Sequence, residues 1–200
     1  FFAVGHSHLD LAWLWPPRET RRKAARTFST ALANLKLYPE YVYGASQPQQ
    51  FEWVKEDYPA LYEKIGAAVA GGRFEVQGGM WVEADTNVTG GESLIRQFYY
   101  GKKFWKEEFG KEVNTLWLPD VFGFSGALPQ IIRGCGCENF LTIKLSWNMV
   151  NAFPYHSFRW KGIDGSEVLV HMPPEGTYNS SAAPDKIIEA GGNYAERGIS

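Results

Sequence analysis

The chain has 200 residues, a formal net charge of −2 and 44% hydrophobic residues. This composition supports a folded core and excludes a disordered chain, and the near-neutral charge gives no electrostatic basis for a nucleic-acid partner. No stretch approaches the roughly 18 apolar residues of a membrane span, and the closely spaced Cys135 and Cys137 favour two free thiols in a reducing, cytoplasmic compartment.

Short apolar runs alternate with amphipathic segments along the chain. Strands are predicted at 1–5, 41–46, 74–79, 115–120 and 139–147, and helices at 17–37, 54–69 with a break at Pro59, 92–109 and 129–133. A β-hairpin with an Asp164-Gly165 turn follows at 158–171, and the tail at 172–200 is loop with one poor helix. Alternating strands and helices predict parallel βαβ units, in either an open doubly wound sheet or a closed barrel.

Polar and aromatic side chains follow the ends of all five predicted strands. His6, His8 and Asp10 come directly after the first strand, and Asp120 ends the fourth. The fifth predicted strand carries Lys144. Active sites of parallel α/β folds form at the carboxyl ends of the strands, so these side chains are expected to share one pocket.

The spacing of His8 and Asp10 predicts a metal site. Residues two apart on an extended chain project to the same side, where an imidazole and a carboxylate can bind one divalent ion. His6 has the same parity, so spacing alone leaves open which histidine binds. Asp120 is the third candidate ligand, because a carboxylate in apolar surroundings needs a strong partner. The alternatives are an ordinary His–Asp hydrogen bond and a helix N-cap at Asp120.

Five segments carry a resemblance to a known family. They read "HSHLDLAWLWP", "SQPQQFEWVKEDYP", "GGMWVEADTNVTGGESLIRQ", "WLPDVFGFSGALPQII" and "KLSWNMVNAFPYHSFRWKGIDGSEVLVHMPP". Together and in this order they resemble the N-terminal catalytic domain of glycoside hydrolase family 38 α-mannosidases, of the bacterial and cytosolic or vacuolar type. The resemblance implies a seven-stranded parallel β/α barrel, of which residues 1–200 would form the N-terminal part.

The resemblance also implies the metal ligands and the nucleophile. One zinc ion, or another divalent metal, would be bound by His8, Asp10 and Asp120, and Asp120 would also be the catalytic nucleophile. A fourth zinc ligand and the general acid are expected beyond residue 200. Glu83 and Asp85 are the candidates for the acid within the chain.

The substrate-binding residues follow from the same resemblance. Trp13 would stack under the mannose ring, and Phe122 would form a wall of that subsite. Lys144 stands where some family members have an arginine, and it is the third candidate for substrate binding.

The predicted function is a zinc-dependent retaining exo-α-mannosidase that hydrolyses terminal α-D-mannose from oligosaccharides. Two alternatives remain open at this point. The first is a metal-dependent polysaccharide deacetylase on a similar barrel, which would need no carboxylate nucleophile. The second is a non-catalytic sugar-binding module. Neither a nucleic acid nor a membrane is expected as a partner, and linkage preference and oligomeric state are left open.

Overall fold

The structure, a computed structural model, describes residues 2–196. Its helices are α1 (Pro17–Leu37), α2 (Pro48–Asp57), α3 (Pro59–Ala70), α4 (Gly91–Phe109), α5 (Leu128–Gly134) and α6 (Pro184–Asn193). Its strands are β1 (Tyr43–Ala45), β2 (Phe74–Val76), β3 (Thr115–Trp117), β4 (Asn139–Leu141), β5 (Ser157–Lys161) and β6 (Glu167–His171). A 3₁₀ turn covers Lys144–Trp147.

The strands form two adjoining sheets. β1 and β2 pair in parallel, and Gly5 adds a parallel bridge to Tyr43 at the outer edge of β1. The second sheet has the order β3-β4-β6-β5, in which β3, β4 and β6 are parallel and β5 pairs antiparallel with β6. The amide of Gly79 donates to the carbonyl of Thr115 at 2.9 Å, so the chain after β2 runs beside β3 and joins the sheets.

The α/β class predicted from the sequence is confirmed, but a seven-stranded parallel barrel is not. The described residues form a two-stranded and a four-stranded sheet, and β5 ends the larger sheet as an antiparallel edge. The predicted first strand is reduced, within residues 2–5, to the bridge at Gly5. The predicted fifth strand ends at Leu141 instead of residue 147. It ends early because both the amide and the hydroxyl of Ser146 donate to the carbonyl of Ile143, a local bonding pattern that competes with a strand ladder.

Two hydrophobic clusters hold the elements together. The first lies between the first three helices, β1, β2 and α4, and its largest fully buried side chains are Phe28, Phe51, Phe74 and Trp105. The second surrounds β3, β4, β6 and α5 and includes Leu116, Leu118, Ile132 and Phe140. Each such side chain contributes about 1.5–3 kcal/mol on burial. The indole of Trp105 also donates to the carbonyl of Gly78, which fixes α4 against the chain that leaves β2.

Helix α4 approaches that chain closely at Gly101. A β-carbon at Gly101 would lie against the carbonyl oxygen of Gly79 and 2.6 Å from the carbonyl carbon of Met80. We therefore expect Gly101→Ala to lower the free energy of unfolding by about 1–3 kcal/mol, although alanine favours helices. Gly66→Ala in α3 meets no atom within 4 Å and should instead add up to about 1 kcal/mol. Thermal unfolding of both variants checks this, and a Gly101→Ala protein as stable as the wild type would contradict the close approach.

Within residues 2–196, no helix combines the length and the apolar character needed to cross a bilayer.

Candidate active site

The segment after Gly5 brings an imidazole and a carboxylate to a second carboxylate that follows β3. His8 Nε2 lies 3.2 Å from Asp10 Oδ1 and 3.4 Å from Asp120 Oδ2. One ligand atom from each of these three residues lies within 4.8 Å of the other two. The structure thus gathers the three predicted metal ligands in one cluster, although Asp120 is far from the other two in sequence.

Buried hydrogen bonds hold the backbone of this segment in place. The side-chain amides of Gln47 and Gln50, at the start of α2, both donate to the carbonyl of Leu9, at 3.1 and 3.0 Å. The hydroxyl of Thr20 in α1 donates to the carbonyl of Asp10 at 2.9 Å. Because these bonds fix the carbonyls of two successive residues, the positions of the flanking imidazole and carboxylate are set by two different helices.

His6 points away from the cluster. Its Nδ1 lies 3.0 Å from the carbonyl of Gly44, and its ring centroid lies 5.0 Å from that of Trp117. Burial lowers the pKa of His6, as expected for an imidazole that stays neutral in the interior. Of the two histidines that spacing left open, His8 is therefore the one that faces the carboxylates.

Glu83 lies on the other side of the His8 ring. Its Oε2 is 3.4 Å from His8 Nδ1, and its Oε1 accepts a hydrogen bond from Ser46 at 3.3 Å. Burial raises the pKa of Glu83. Burial by itself would lower the pKa of His8, but hydrogen bonding to Glu83 and the surrounding carboxylate charges outweigh it and raise that pKa to about 9. The carboxylates around His8 therefore favour a positive charge at this point of the cluster.

Lys144 supplies one positive charge at the edge of the cluster. Its Nζ lies 2.5 Å from Asp120 Oδ1, and its side chain is only 9% exposed. The same ammonium lies 3.2 Å from the ring centroid of Trp147 and 5.0 Å from that of Phe122. The 3₁₀ turn, rather than the predicted strand, brings Lys144 to this position.

Tyr178 is a third aromatic residue beside the cluster, with Trp147 and Phe122, and no sequence pattern predicted it. Its ring centroid lies 4.7 Å from that of His8 and 6.4 Å from that of Trp147, onto which it stacks at 13°. Burial and the nearby Asp120 carboxylate raise the pKa of Tyr178 to about 12, so it stays a protonated donor. It lies in a loop without periodicity after the hairpin, where no sequence signal distinguishes it from the neighbouring residues.

The remaining predicted site residues have different placements. Trp13 is 68% exposed in the bend before α1 and makes an edge contact with Trp15. Phe122 is 82% exposed, and its ring lies beside the Lys144 ammonium at the edge of the cluster. Asp85 accepts the backbone amides of two following residues and stabilises a surface turn. Asp120 caps no helix, because α5 begins only at Leu128.

The separations of His8 Nε2 from the two carboxylates are compatible with a small divalent metal. Zinc is bound by nitrogen and oxygen ligands at about 2.0–2.2 Å, so ligand atoms around a tetrahedral ion are about 3.3–3.6 Å apart. The distances from His8 Nε2 to Asp10 and Asp120, 3.2 and 3.4 Å, are close to this spacing. His8 and Asp120 are mostly buried, whereas the Asp10 side chain is 35% exposed, so the cluster is open to solvent on one side.

An imidazole and several carboxylates that converge beside parallel strands define an enzyme-like α/β domain. Residues 1–199 match the model of the glycosyl hydrolases family 38 N-terminal domain, and the chain belongs to this family. It is 49% identical to human "Alpha-mannosidase 2C1" over 196 residues, which are 98% of this chain and 19% of that protein. It is 51% identical to "Alpha-mannosidase G" of Dictyostelium discoideum over 192 residues, 96% of this chain and 18% of that protein. The chain thus spans about a fifth of the length of these relatives.

Among solved structures, the fold is similar to that of an alpha-mannosidase from Enterococcus faecalis. The TM-score is 0.79 at 20% sequence identity, and the match covers 96% of this chain and 23% of the other. At this identity the similarity establishes the shared fold.

Proposed function

We propose that this chain is the N-terminal part of the β/α-barrel catalytic domain of a zinc-dependent retaining exo-α-mannosidase. Its substrate would be a mannose-containing oligosaccharide, from which it hydrolyses terminal α-D-mannose. The single observation that carries the proposal is the convergence of His8, Asp10 and Asp120 within bonding reach of one ion. The family and the names of the relatives support the substrate class.

The metal would be held by His8 Nε2 and by one oxygen each of Asp10 and Asp120. When bound, zinc supplies Lewis-acid chemistry: it orients sugar hydroxyls and stabilises negative charge. Other divalent cations that accept nitrogen and oxygen ligands also fit this donor set. The exposure of the Asp10 side chain leaves a solvent-facing side through which a substrate hydroxyl could enter.

Asp120 is the proposed nucleophile. One of its oxygens faces His8 and the other faces Lys144, so the carboxylate is held in one orientation. In a retaining reaction the carboxylate oxygen bonds to the anomeric carbon as the bond to the leaving oxygen breaks, and water later hydrolyses the glycosyl ester. Glu83 is buried against His8 and Ser46, and Asp85 holds a turn, so we assign the proton-donating role to neither.

The exposed rings of Trp13 and Phe122 are suited to contact the sugar. Flat aromatic faces pack against the apolar C–H face of a pyranose, and both rings are more exposed than is usual for such large apolar side chains. The Lys144 ammonium, fixed between Asp120 and Trp147, could donate a hydrogen bond to a sugar hydroxyl. We further propose a cytoplasmic location, which the two free thiols of Cys135 and Cys137 support.

Covalent trapping tests the reaction. The full protein that contains this domain is incubated with a mechanism-based fluorinated α-mannosyl substrate, digested and mapped by mass spectrometry. We expect one glycosyl label on the peptide that contains Asp120, since fluorine slows hydrolysis of the ester intermediate. A deacetylase would release acetate from an acetylated glycan and form no label. A sugar-binding module would bind mannose with neither label nor turnover, and either result would overturn the proposal.

A further inference from the structure

We propose that Glu83 is a positioning residue: it accepts the Nδ1 proton of His8 and thereby directs the lone pair of Nε2 towards the metal. The inference rests on the proposed function, because it assumes that the cluster of His8, Asp10 and Asp120 binds a metal. It assigns to Glu83 a part in the site other than the acid role that the sequence suggested.

His8 Nδ1 and Glu83 Oε2 face each other in the interior of the described structure. Within residues 2–196, His8 Nδ1 and Glu83 Oε2 are both buried and neither has a hydrogen-bond partner that meets ordinary geometric criteria. They lie 3.4 Å apart, slightly longer than an ordinary hydrogen bond, and the two side chains are 9% and 8% exposed. Because an unpaired buried carboxylate oxygen is costly, these atoms are complementary: the imidazole offers a proton and the carboxylate accepts it.

Glu83 is itself fixed from two sides. Ser46, directly after β1, donates to Glu83 Oε1. The backbone amide of Glu83 donates to the side-chain oxygen of Gln47 at 3.2 Å. The side-chain nitrogen of the same Gln47 donates to the carbonyl of Leu9, the residue between His8 and Asp10. The side chain of Gln47 therefore links the backbone of Glu83 to the backbone of the segment that carries His8 and Asp10.

Gln47 adopts an unusual conformation to make this link. Its φ of 66° lies in the left-handed region, which a residue other than glycine rarely adopts, and its side chain is 4% exposed. Both ends of its amide are used, one towards Glu83 and one towards Leu9. The strained backbone is thus accompanied by one buried and one partly buried hydrogen bond, which together fix Glu83 relative to the segment that carries His8.

The chemistry follows from the two nitrogens of imidazole. A neutral ring carries one proton, and a carboxylate beside Nδ1 keeps the proton there and leaves Nε2 free to bind a metal. Such a partner also restricts ring rotation and increases the basicity of the coordinating nitrogen, and its loss typically weakens metal binding by 10–100-fold. Glu83 is placed to act in this way, since Nδ1 faces it while Nε2 faces Asp10 and Asp120.

The test compares metal affinity in Glu83→Gln and in a matched control. The full protein is stripped of metal and titrated calorimetrically with Zn²⁺, and the visible absorption of bound Co²⁺ reports the geometry around the ion. We expect Glu83→Gln to weaken Zn²⁺ binding by about 10–100-fold and to alter the Co²⁺ spectrum. Glu75→Gln, the same substitution at an exposed position of β2, should change neither.

The possible outcomes are distinct. Zn²⁺ affinity and a Co²⁺ spectrum that are unchanged in Glu83→Gln, with turnover lost, would make Glu83 a catalytic acid and overturn the inference while the proposed function stands. A wild-type protein that binds no Zn²⁺ would overturn both. If Glu83→Gln fails to fold, Ser46→Ala replaces it, because it removes the donor to Glu83 Oε1. A loss of affinity of about twofold to fivefold is then expected, and no loss would contradict the inference.

Discussion

Replacing Asp120 with asparagine is expected to lower kcat/KM for an aryl α-mannoside by more than about 10⁴-fold in the full protein. Losses of this size are typical when an essential catalytic residue is removed. Asparagine preserves the shape of the side chain but cannot form the glycosyl ester through a carboxylate oxygen. It also removes the charge that faces His8 on one side and Lys144 on the other. Steady-state kinetics measures the loss.

A matched control separates this effect from a general effect of the substitution. Asp164→Asn makes the same chemical change in the exposed hairpin turn between β5 and β6, where Asn-Gly supports a tight turn as Asp-Gly does. We expect full activity from it. Metal analysis of Asp120→Asn then shows whether the loss includes the ion. An Asp120→Asn enzyme with more than about a tenth of wild-type activity would exclude Asp120 as the nucleophile.

The elements of this fold were largely predictable because each one carries its own local pattern. The predicted helix at 17–37 coincides with α1, and Pro59 separates α2 from α3 as expected from its missing amide donor. The Asp164-Gly165 turn lies between β5 and β6. The pairing of β6 with β4 was not predictable, because the hairpin signal specifies only its own two strands.

The convergence of the three candidate ligands was predictable, and their surroundings were much less so. His8, Asp10 and Asp120 could be selected because strand ends of a parallel sheet lie at one edge. Spacing alone left the choice between His6 and His8 open, and the resemblance favoured His8. In the structure, the two rings differ in their contacts: His6 faces the carbonyl of Gly44 and His8 faces Asp10. The position of Lys144 was predicted on a strand, yet the local hydrogen bonds of Ser146 form a turn there.

The supporting residues show why sequence patterns have this limit. Gln47 and Gln50 are polar residues that follow the second predicted strand, and neither their carbonyl partner at Leu9 nor the link to Glu83 has a sequence signature. Contacts of this kind join segments about 40 residues apart in the chain, as the separations of 38 and 41 from Leu9 show. Residue type and periodicity predict that such groups are buried, whereas the identity of their partners depends on the packing of helices against strands.

Removing the metal is the second change expected to have a very large effect. Dialysis of the full protein against a chelator should lower activity by about 10³-fold or more, because a bound cation contributes several kcal/mol to transition-state stabilisation. The fold should persist, since the two hydrophobic clusters consist of apolar side chains and include none of the three proposed ligands. In the stripped protein, Lys144 still pairs with Asp120 and partly neutralises the cluster.

The stripped protein can be reloaded with different ions, and the ions that restore activity should be those that this set of donor atoms prefers. An imidazole nitrogen with two carboxylates favours Zn²⁺ or Co²⁺, whereas Mg²⁺ prefers oxygen ligands in an octahedron. We expect Zn²⁺ and Co²⁺ to restore turnover and Mg²⁺ to leave it low, with circular dichroism unchanged throughout. Full activity in protein that elemental analysis shows to be metal-free would contradict the metal site. The convergence of the three side chains would then serve only to hold the charge of Asp120 beside Lys144.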